Sequence, residues 1–403
     1  MAAVPAVDAE GSVIFSDLGY NGIHEEDDKY GREMVSQPKK ETSKMDANIW
    51  RLLPDHLIER VLPWLPVPSI VRSQLVCKSW NSMINSRLFS HYYSEAYFLV
   101  EREPWFLVFP KKHENLGLAY DPLENRWINL PFNFLPTESR AVATAEGLIC
   151  MIPKANNINS LYICNPFSKS WRVVPRPPGL LKFFFLVAGV VVEKMTRSFK
   201  MVLAGSELVS GDIDQFVLTA EVYDSETNCW MRSRSFLVEA PVFPWRAISH
   251  GILYCVIGQA PWNIIGFNVH NGSWFRISAP MPALLTSVKL MDHKGRLILI
   301  GGIGNSGITT EIGMWELNEA SVEWMKVGGL PKEFCDGFLM SLSRRFACVG
   351  HGDLIYFTSK KYPKMLVYDL STQSWNWMQC CPELVDPHLH IFNGFCFQPR
   401  LDM

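Results

Sequence analysis

Two stretches of this 403-residue chain hold residue types that could do chemistry. GGIGNSG at 301–307 has enough glycine to bring backbone N–H groups close to a phosphate. Cys380-Cys381 with His388 and His390 offers thiolate and imidazole ligands suited to zinc. Spacing decides against both. A phosphate cradle opens a helix, whereas 301–307 follows the strand-like run KGRLILI inside a repeat. Structural zinc sites pair their ligands two to four residues apart, which adjacent cysteines and a His-x-His on alternate strand positions do not do. Neither a serine nucleophile elbow nor a zinc-protease helix motif occurs. The sequence therefore predicts no catalytic residue, no metal and no cofactor.

The chemistry that remains is binding, and composition narrows the partner. A formal net charge of −2 argues against nucleic acid, because sequence-independent affinity for phosphate needs a basic excess. The most apolar run, Leu180 to Val192, is interrupted by Lys182 and falls short of the ~20 residues that span a bilayer. It reads as one or two buried strands, with no membrane partner. No basic-then-apolar leader opens the sequence, so the expected location is cytoplasmic and/or nuclear. The 10 cysteines are then expected as thiols, since they form no regular framework. A 48% hydrophobic content with 14 Trp and 24 Phe supplies ample apolar area for a core.

Stepping along the chain, residues 1–45 are charged and polar without apolar periodicity, and are expected to be a disordered extension. From about residue 97 to 403 short β-type runs alternate with Gly, Pro, Asn and Asp turns. One phrase recurs there: an apolar strand, a polar turn, then Trp. The aligned residues are Trp127, Trp171, Trp230, Trp274, Trp324 and Trp375, separated by 44, 59, 44, 50 and 51 residues. Upstream of several copies stand glycine-led strands at 146–152, 250–258, 294–302 and 351–358. Four strands in each period of ~50 residues is the mark of a β-propeller blade, and the repeated Trp is expected to pack between blades. The fold class is thus mainly β, a six-bladed propeller preceded by a small helical unit. The strand near Gly394 to Phe397 should pair with the blade begun by YFLVEREPWFLVF at 97–109, closing the ring.

The Tyr-Asp…Trp phrase resembles the kelch repeat, although only Gly301-Gly302 reproduces the glycine doublet. In a propeller the loops joining second to third strands, and one blade to the next, gather on one face. Lys111, Lys112, Trp245, Arg246, Trp262, Lys360, Lys361 and Tyr362 are the candidate contacts there for a protein segment, an acidic one suiting the lysines. A propeller enzyme would instead need His and Tyr ligands converging at the ring axis, and nothing in the pattern points to that.

Between the extension and the propeller, residues 46–90 read as three short helices punctuated by Pro54, Pro63, Pro66 and Pro68. Pro54 and Pro68 fall at helix starts, where a missing N–H costs little, whereas Pro63 should shorten or kink the first helix. So small a unit exposes too much apolar surface to stand without a partner. Its residue order resembles the F-box: Leu53-Pro54, Leu57-Ile58, Val61-Leu62, Leu65-Pro66, Ile70, Arg72, Val76-Cys77 and Lys78-x-Trp80. The combination with a Trp-rich propeller is similar to the plant F-box/kelch family. That resemblance implies docking on the Skp-type adaptor of a Skp–cullin–F-box ubiquitin ligase, through Leu53, Pro54, Ile58, Val61, Leu62, Leu65, Pro66, Ile70 and Cys77. It implies a noncatalytic receptor whose propeller captures an unknown target protein. The alternative is a propeller scaffold outside any ligase, its helices docked on its own first blade.

Overall fold

Six times along the chain an Asp or Asn side chain closes a hairpin onto its own backbone. Asp121, Asn165, Asp224, Asn268, Asn318 and Asp369 each accept, through Oδ1, the N–H of the residue two positions on, at 2.8–3.0 Å. Four residues after each stands a residue with φ between 47° and 71°: Asn125, Lys169, Asn228, Gly272, Val322 and Gln373. Two residues later comes the aligned Trp. The repeat phrase is therefore the local geometry of one turn.

These turns belong to a computed structural model that describes residues 52–100, 102–110, 115–154, 160–179, 185–193, 196–209, 215–258, 261–339, 346–359, 362–379, 381 and 394–402, with the strand pair 6–7 and 13–14. The expected disordered extension otherwise lies outside the described residues. Six antiparallel sheets follow one another, each running from an inner to an outer strand in chain order. Blade 2 holds Ser139–Ala145, Leu148–Pro153, Ser160–Asn165 and Ser170–Pro175. Blade 3 adds a fifth strand, Phe236–Val238, to its third strand, Phe216–Asp224. Blade 1 takes its inner strand, Gly394–Phe397, from the far end of the propeller, paired with Trp105–Val108 as expected. That strand touches the inner strands of both blade 6 and blade 2, so the ring is closed.

The core is divided into wedges. Each of six apolar clusters joins two neighbouring blades, and the cluster of Phe106, Tyr120, Tyr356 and Met365 bridges blades 1 and 6 across the closure. Five of the repeated tryptophans, Trp127, Trp230, Trp274, Trp324 and Trp375, seal these wedges, whereas Trp171 is exposed and packs in none of them. Each faces an aromatic, cysteine or leucine side chain across its hairpin, Tyr120 for Trp127 and Tyr368 for Trp375 among them. Trp127 then donates to the carbonyl of Gln379 at 2.9 Å, Trp230 to Pro175 at 2.8 Å and Trp274 to the Ser233 hydroxyl at 3.2 Å. In all three the acceptor lies at the end of the outer strand of the preceding blade or just past it, the interblade role expected of them.

One expectation needs correcting. Residues 97–99 do not begin a blade; they end the longest helix, Arg87–Leu99. Ser86 caps it by accepting the Phe89 N–H at 3.0 Å. Phe89, Tyr93 and Tyr97, spaced by four, form its buried stripe. The glycine-rich 301–307 also resolves as structure, with Ser306 and Gly307 both at positive φ in a two-residue hairpin turn.

Candidate functional site

The helical unit comprises α1 (Asp55–Val61), α2 (Val67–Ser73), α3 (Lys78–Ile84) and α4 (Arg87–Leu99). Pro54 and Pro66 precede α1 and α2 in extended backbone. Pro63 neither breaks nor kinks the chain outright: α1 ends at Val61 and tightens into a 3₁₀ turn, Leu62–Trp64, whose first positions tolerate it.

Two apolar stripes run along α1 and its 3₁₀ extension. Ile58 and Leu62 point inward with Val67, Ile70, Ile84, Phe89, Tyr93 and Tyr97, and Leu62 and Ile70 have no exposed surface at all. Three of the expected adaptor contacts, Ile58, Leu62 and Ile70, are therefore the core that holds the helices together. Their side chains cannot meet a partner without unfolding the unit. Leu53 and Leu65 pack half-buried against that core. Pro54, Val61, Pro66 and Cys77 are exposed, and the Cys77 Sγ caps α3 by accepting the Trp80 N–H.

Of the second stripe, sequence reasoning named Val61 as an adaptor contact and left out Leu57 and Trp64. Leu57, Val61 and Trp64 stand at helical spacing and are 40%, 38% and 51% exposed. Leu52, Leu75 and Val76 add 84%, 86% and 63% exposure around them in sequence. A soluble chain rarely leaves so much aliphatic and aromatic surface open in one small unit unless a partner covers it. The signal was present in the sequence as the offset between 57–61–64 and 58–62.

The unit sits on the end of the ring that carries the turns between first and second, and third and fourth, strands. Arg72 of α2 pairs with Glu124, in the turn of blade 1, at 2.9 Å. Arg102 donates to the carbonyls of Leu65 and Pro63 at 3.1 and 3.3 Å. Phe167, in the turn of blade 2, packs into the helical core.

The residues expected to contact a target do not form one described surface. Lys111, Lys112, Lys360 and Lys361 lie outside the described residues. Tyr362 opens a strand of blade 6, Tyr362–Asp369, described through its backbone. Trp262 is buried between blades 4 and 5, donating to the Leu285 carbonyl at 3.2 Å. Trp245 is half-buried, stacks on Phe243 at 5.0 Å and carries the Lys289 ammonium 3.4 Å from its ring centre. Arg246 turns into the ring and donates to the Val142 carbonyl; desolvation there lowers its pKa. The inner strand of blade 4 shifts register between Val242 and Arg246, and this bulge re-aims the segment. Trp262 is thus an interior group, and the half-buried Arg246 is engaged with the blade 2 backbone.

Among the described residues no three His, Cys, Asp or Glu side chains gather as metal ligands. Cys380, His388 and His390 lie outside them, and Cys381 is buried. Burial pushes the Cys150 and Cys255 thiols up to about 12, leaving them protonated at neutral pH.

Known proteins share this pairing of parts. A family model described as F-box protein At3g26010-like, beta-propeller, matches residues 126–267, and one described as F-box-like matches 50–95. The F-box/kelch-repeat protein At3g61590 of Arabidopsis thaliana is 32% identical over 404 aligned positions, 94% of this chain and 95% of that one. UNUSUAL FLORAL ORGANS of the same plant is 26% identical, covering 89% of this chain and 86% of its own length. SKP1-interacting partner 15, also from Arabidopsis thaliana, is 24% identical over 89% of this chain and its own whole length. With an F-box-like helical unit seated on a six-bladed propeller and a relative this similar over nearly its full length, the chain belongs to the F-box/kelch-repeat family.

Proposed function

We propose that this chain is the noncatalytic target-recognition subunit of a Skp–cullin–F-box ubiquitin ligase. The observation that carries the reading is the apolar surface of Leu52, Leu57, Val61, Trp64, Leu75 and Val76, exposed on a unit whose own core is already complete. A Skp-type adaptor covers it, as the printed name of one relative, SKP1-interacting partner, suggests. The target is taken on the other end of the ring. There the second and third strands of blade 3, Phe199–Leu208 and Phe216–Asp224, and of blade 5, Arg296–Asn305 and Ile308–Asn318, outreach the six-residue strands of blade 4 between them. The chain supplies no acid, base or nucleophile; its contribution to ubiquitin transfer is proximity, raising the effective concentration of target lysines.

The test is co-purification. The full chain mixed with purified Skp-type adaptor should co-elute as a one-to-one complex and then recruit the cullin core. Failure to co-elute at micromolar concentrations refutes the reading and favours a propeller scaffold that works outside a ligase.

A further inference from the structure

Neither docking face uses a buried charged cluster around Arg400. It lies where the segment after the closing strand, Gln398–Asp402, runs back between α4 and the propeller. Arg400 is fully buried. Its Nε and Nη2 donate to the two carboxylate oxygens of Asp402 at 2.7 and 2.9 Å, and Nη1 donates to Glu146 of blade 2 at 3.2 Å. The guanidinium carbon stands 4.4 Å from the ring centre of Tyr97 on α4. The Tyr97 hydroxyl donates to the same Glu146 oxygen at 3.3 Å. Asn165 of blade 2 holds the Arg400 carbonyl at 2.8 Å. Gly147 is the floor: its φ is +82°, and a Cβ there would lie 2.5 Å from the Arg400 Cβ.

Two more arginines grip the same helix. Arg197 of blade 3 donates to the Asp402 carbonyl at 3.3 Å and to Ser90 of α4 at 3.4 Å. Arg102 lies 5.6 Å from the ring centres of both Tyr93 and Tyr97. Leu401 packs into the helical core. The covalent connection from α4 to blade 1 is only the stretch from Val100 to Pro104, which by itself would let the helical unit swing.

We propose that Gln398–Asp402, through Arg400, is a strut that fixes the direction of the helical unit relative to the propeller. The bidentate Arg400–Asp402 pair lies within the segment and fixes the guanidinium. Held so, Arg400 meets both the Tyr97 ring of α4 and Glu146 of blade 2, which also accepts the Tyr97 hydroxyl. Such directional contacts add little net stability over apolar ones but admit one arrangement where an oily interface would let α4 slide. The consequence for function rests on the ligase reading above: a rigid arm holds target lysines at one distance from the transfer site. The rigidity itself does not depend on that reading.

Native thiols make the test direct. Cys77 on α3 and Cys229 on blade 3 are exposed, so nitroxide labels on them, in a Cys380→Ser background, report the distance between the two bodies by pulsed electron resonance. The full chain should give one narrow distance distribution. Arg400→Gln should broaden it at least twofold while the propeller melts as before and adaptor affinity stays within threefold. Should Arg400→Gln fail to fold, Glu146→Gln with Asp402→Asn removes both acidic partners and leaves every apolar contact in place. A distribution as narrow as wild type in the variants overturns the strut, including when their melting temperature falls, because the network then only stabilises. Wild-type chain that stays narrow when labelled yet, unlabelled, ignores the adaptor refutes the ligase reading and leaves the strut standing.

Discussion

Replacing Leu75 and Val76 together by serine separates the exposed surface of the helical unit from its core. Both side chains lie in the turn between α2 and α3, 86% and 63% exposed, and the turn is held by backbone bonds from Leu75 N–H to Arg72 and from Val76 N–H to Ser73. Their removal should therefore leave folding nearly untouched. Fully burying a Leu or Val side chain is worth about 1.5–3 kcal/mol, so in proportion to what is exposed the pair offers a partner roughly 2–4 kcal/mol. At 1.4 kcal/mol per decade that is a loss of roughly 30- to 700-fold in adaptor affinity. Leu62→Ala makes the opposite control. Its side chain has no exposed surface, and the cavity left behind should cost the helical unit about 2–5 kcal/mol of stability. Calorimetric titration with purified adaptor measures the first effect, and circular dichroism melting the second. A doubly substituted chain that melts like wild type and binds within threefold of it refutes the assignment of this surface. An unchanged melt for Leu62→Ala refutes the assignment of the core.

Two further outcomes test the propeller. Val322 occupies the left-handed position of its turn at φ 54°, where a β-branched side chain is strained and the other five blades place Asn, Lys, Gly or Gln. Val322→Asn should stabilise by about 1 kcal/mol, seen as a rise of about 2 °C in Tm; an unchanged or lower Tm contradicts the turn geometry. Glu221 of blade 3 is wholly buried, and among the described residues neither carboxyl oxygen has a hydrogen-bond partner. Glu221→Met keeps the length, removes the two unpaired oxygens and should stabilise by about 1–3 kcal/mol in urea unfolding. A destabilised variant would mean that the carboxylate is engaged in solution.

The propeller was legible because its signal is local. One Asx turn, one left-handed residue and one Trp within seven positions define each hairpin, and tertiary contacts are not needed to recognise it. Closure was legible too, since Gly394–Phe397 is a strand with no hairpin of its own. The helical unit was harder. With Ile58-Leu62 and Leu57-Val61-Trp64 both at helical spacing, periodicity marks two stripes and cannot say which one α4 will cover. Reading Tyr97 as the start of a strand followed from its aromatic neighbours, which favour sheets in general; the four-residue spacing of Phe89, Tyr93 and Tyr97 overrides that preference. Arg246 was misplaced because its position follows a register shift, which no composition rule encodes; Trp262 was misplaced because a loop tryptophan folds back between two blades, a tertiary contact that local sequence does not show.

Strand length explains why one ring can hold two such different faces. Strands of about six residues span roughly 20 Å, so the ring sets that separation between its ends whatever the loops do. At the helical end the connections are short: two-residue turns at Glu146-Gly147, His250-Gly251 and Lys294-Gly295, and the six Asx turns. Short turns at positive φ tolerate little change, and those of blades 1 and 2, through Glu124, Glu146, Gly147 and Phe167, form the bed on which the helical unit and Arg400 rest. At the other end strands run on freely, 10 and 9 residues in blade 3 and 10 and 11 in blade 5. Lengthening a hairpin outward there moves no residue of the bed. Variation in what is captured is thereby uncoupled from the fit to the helical unit, because the two depend on opposite ends of the same strands.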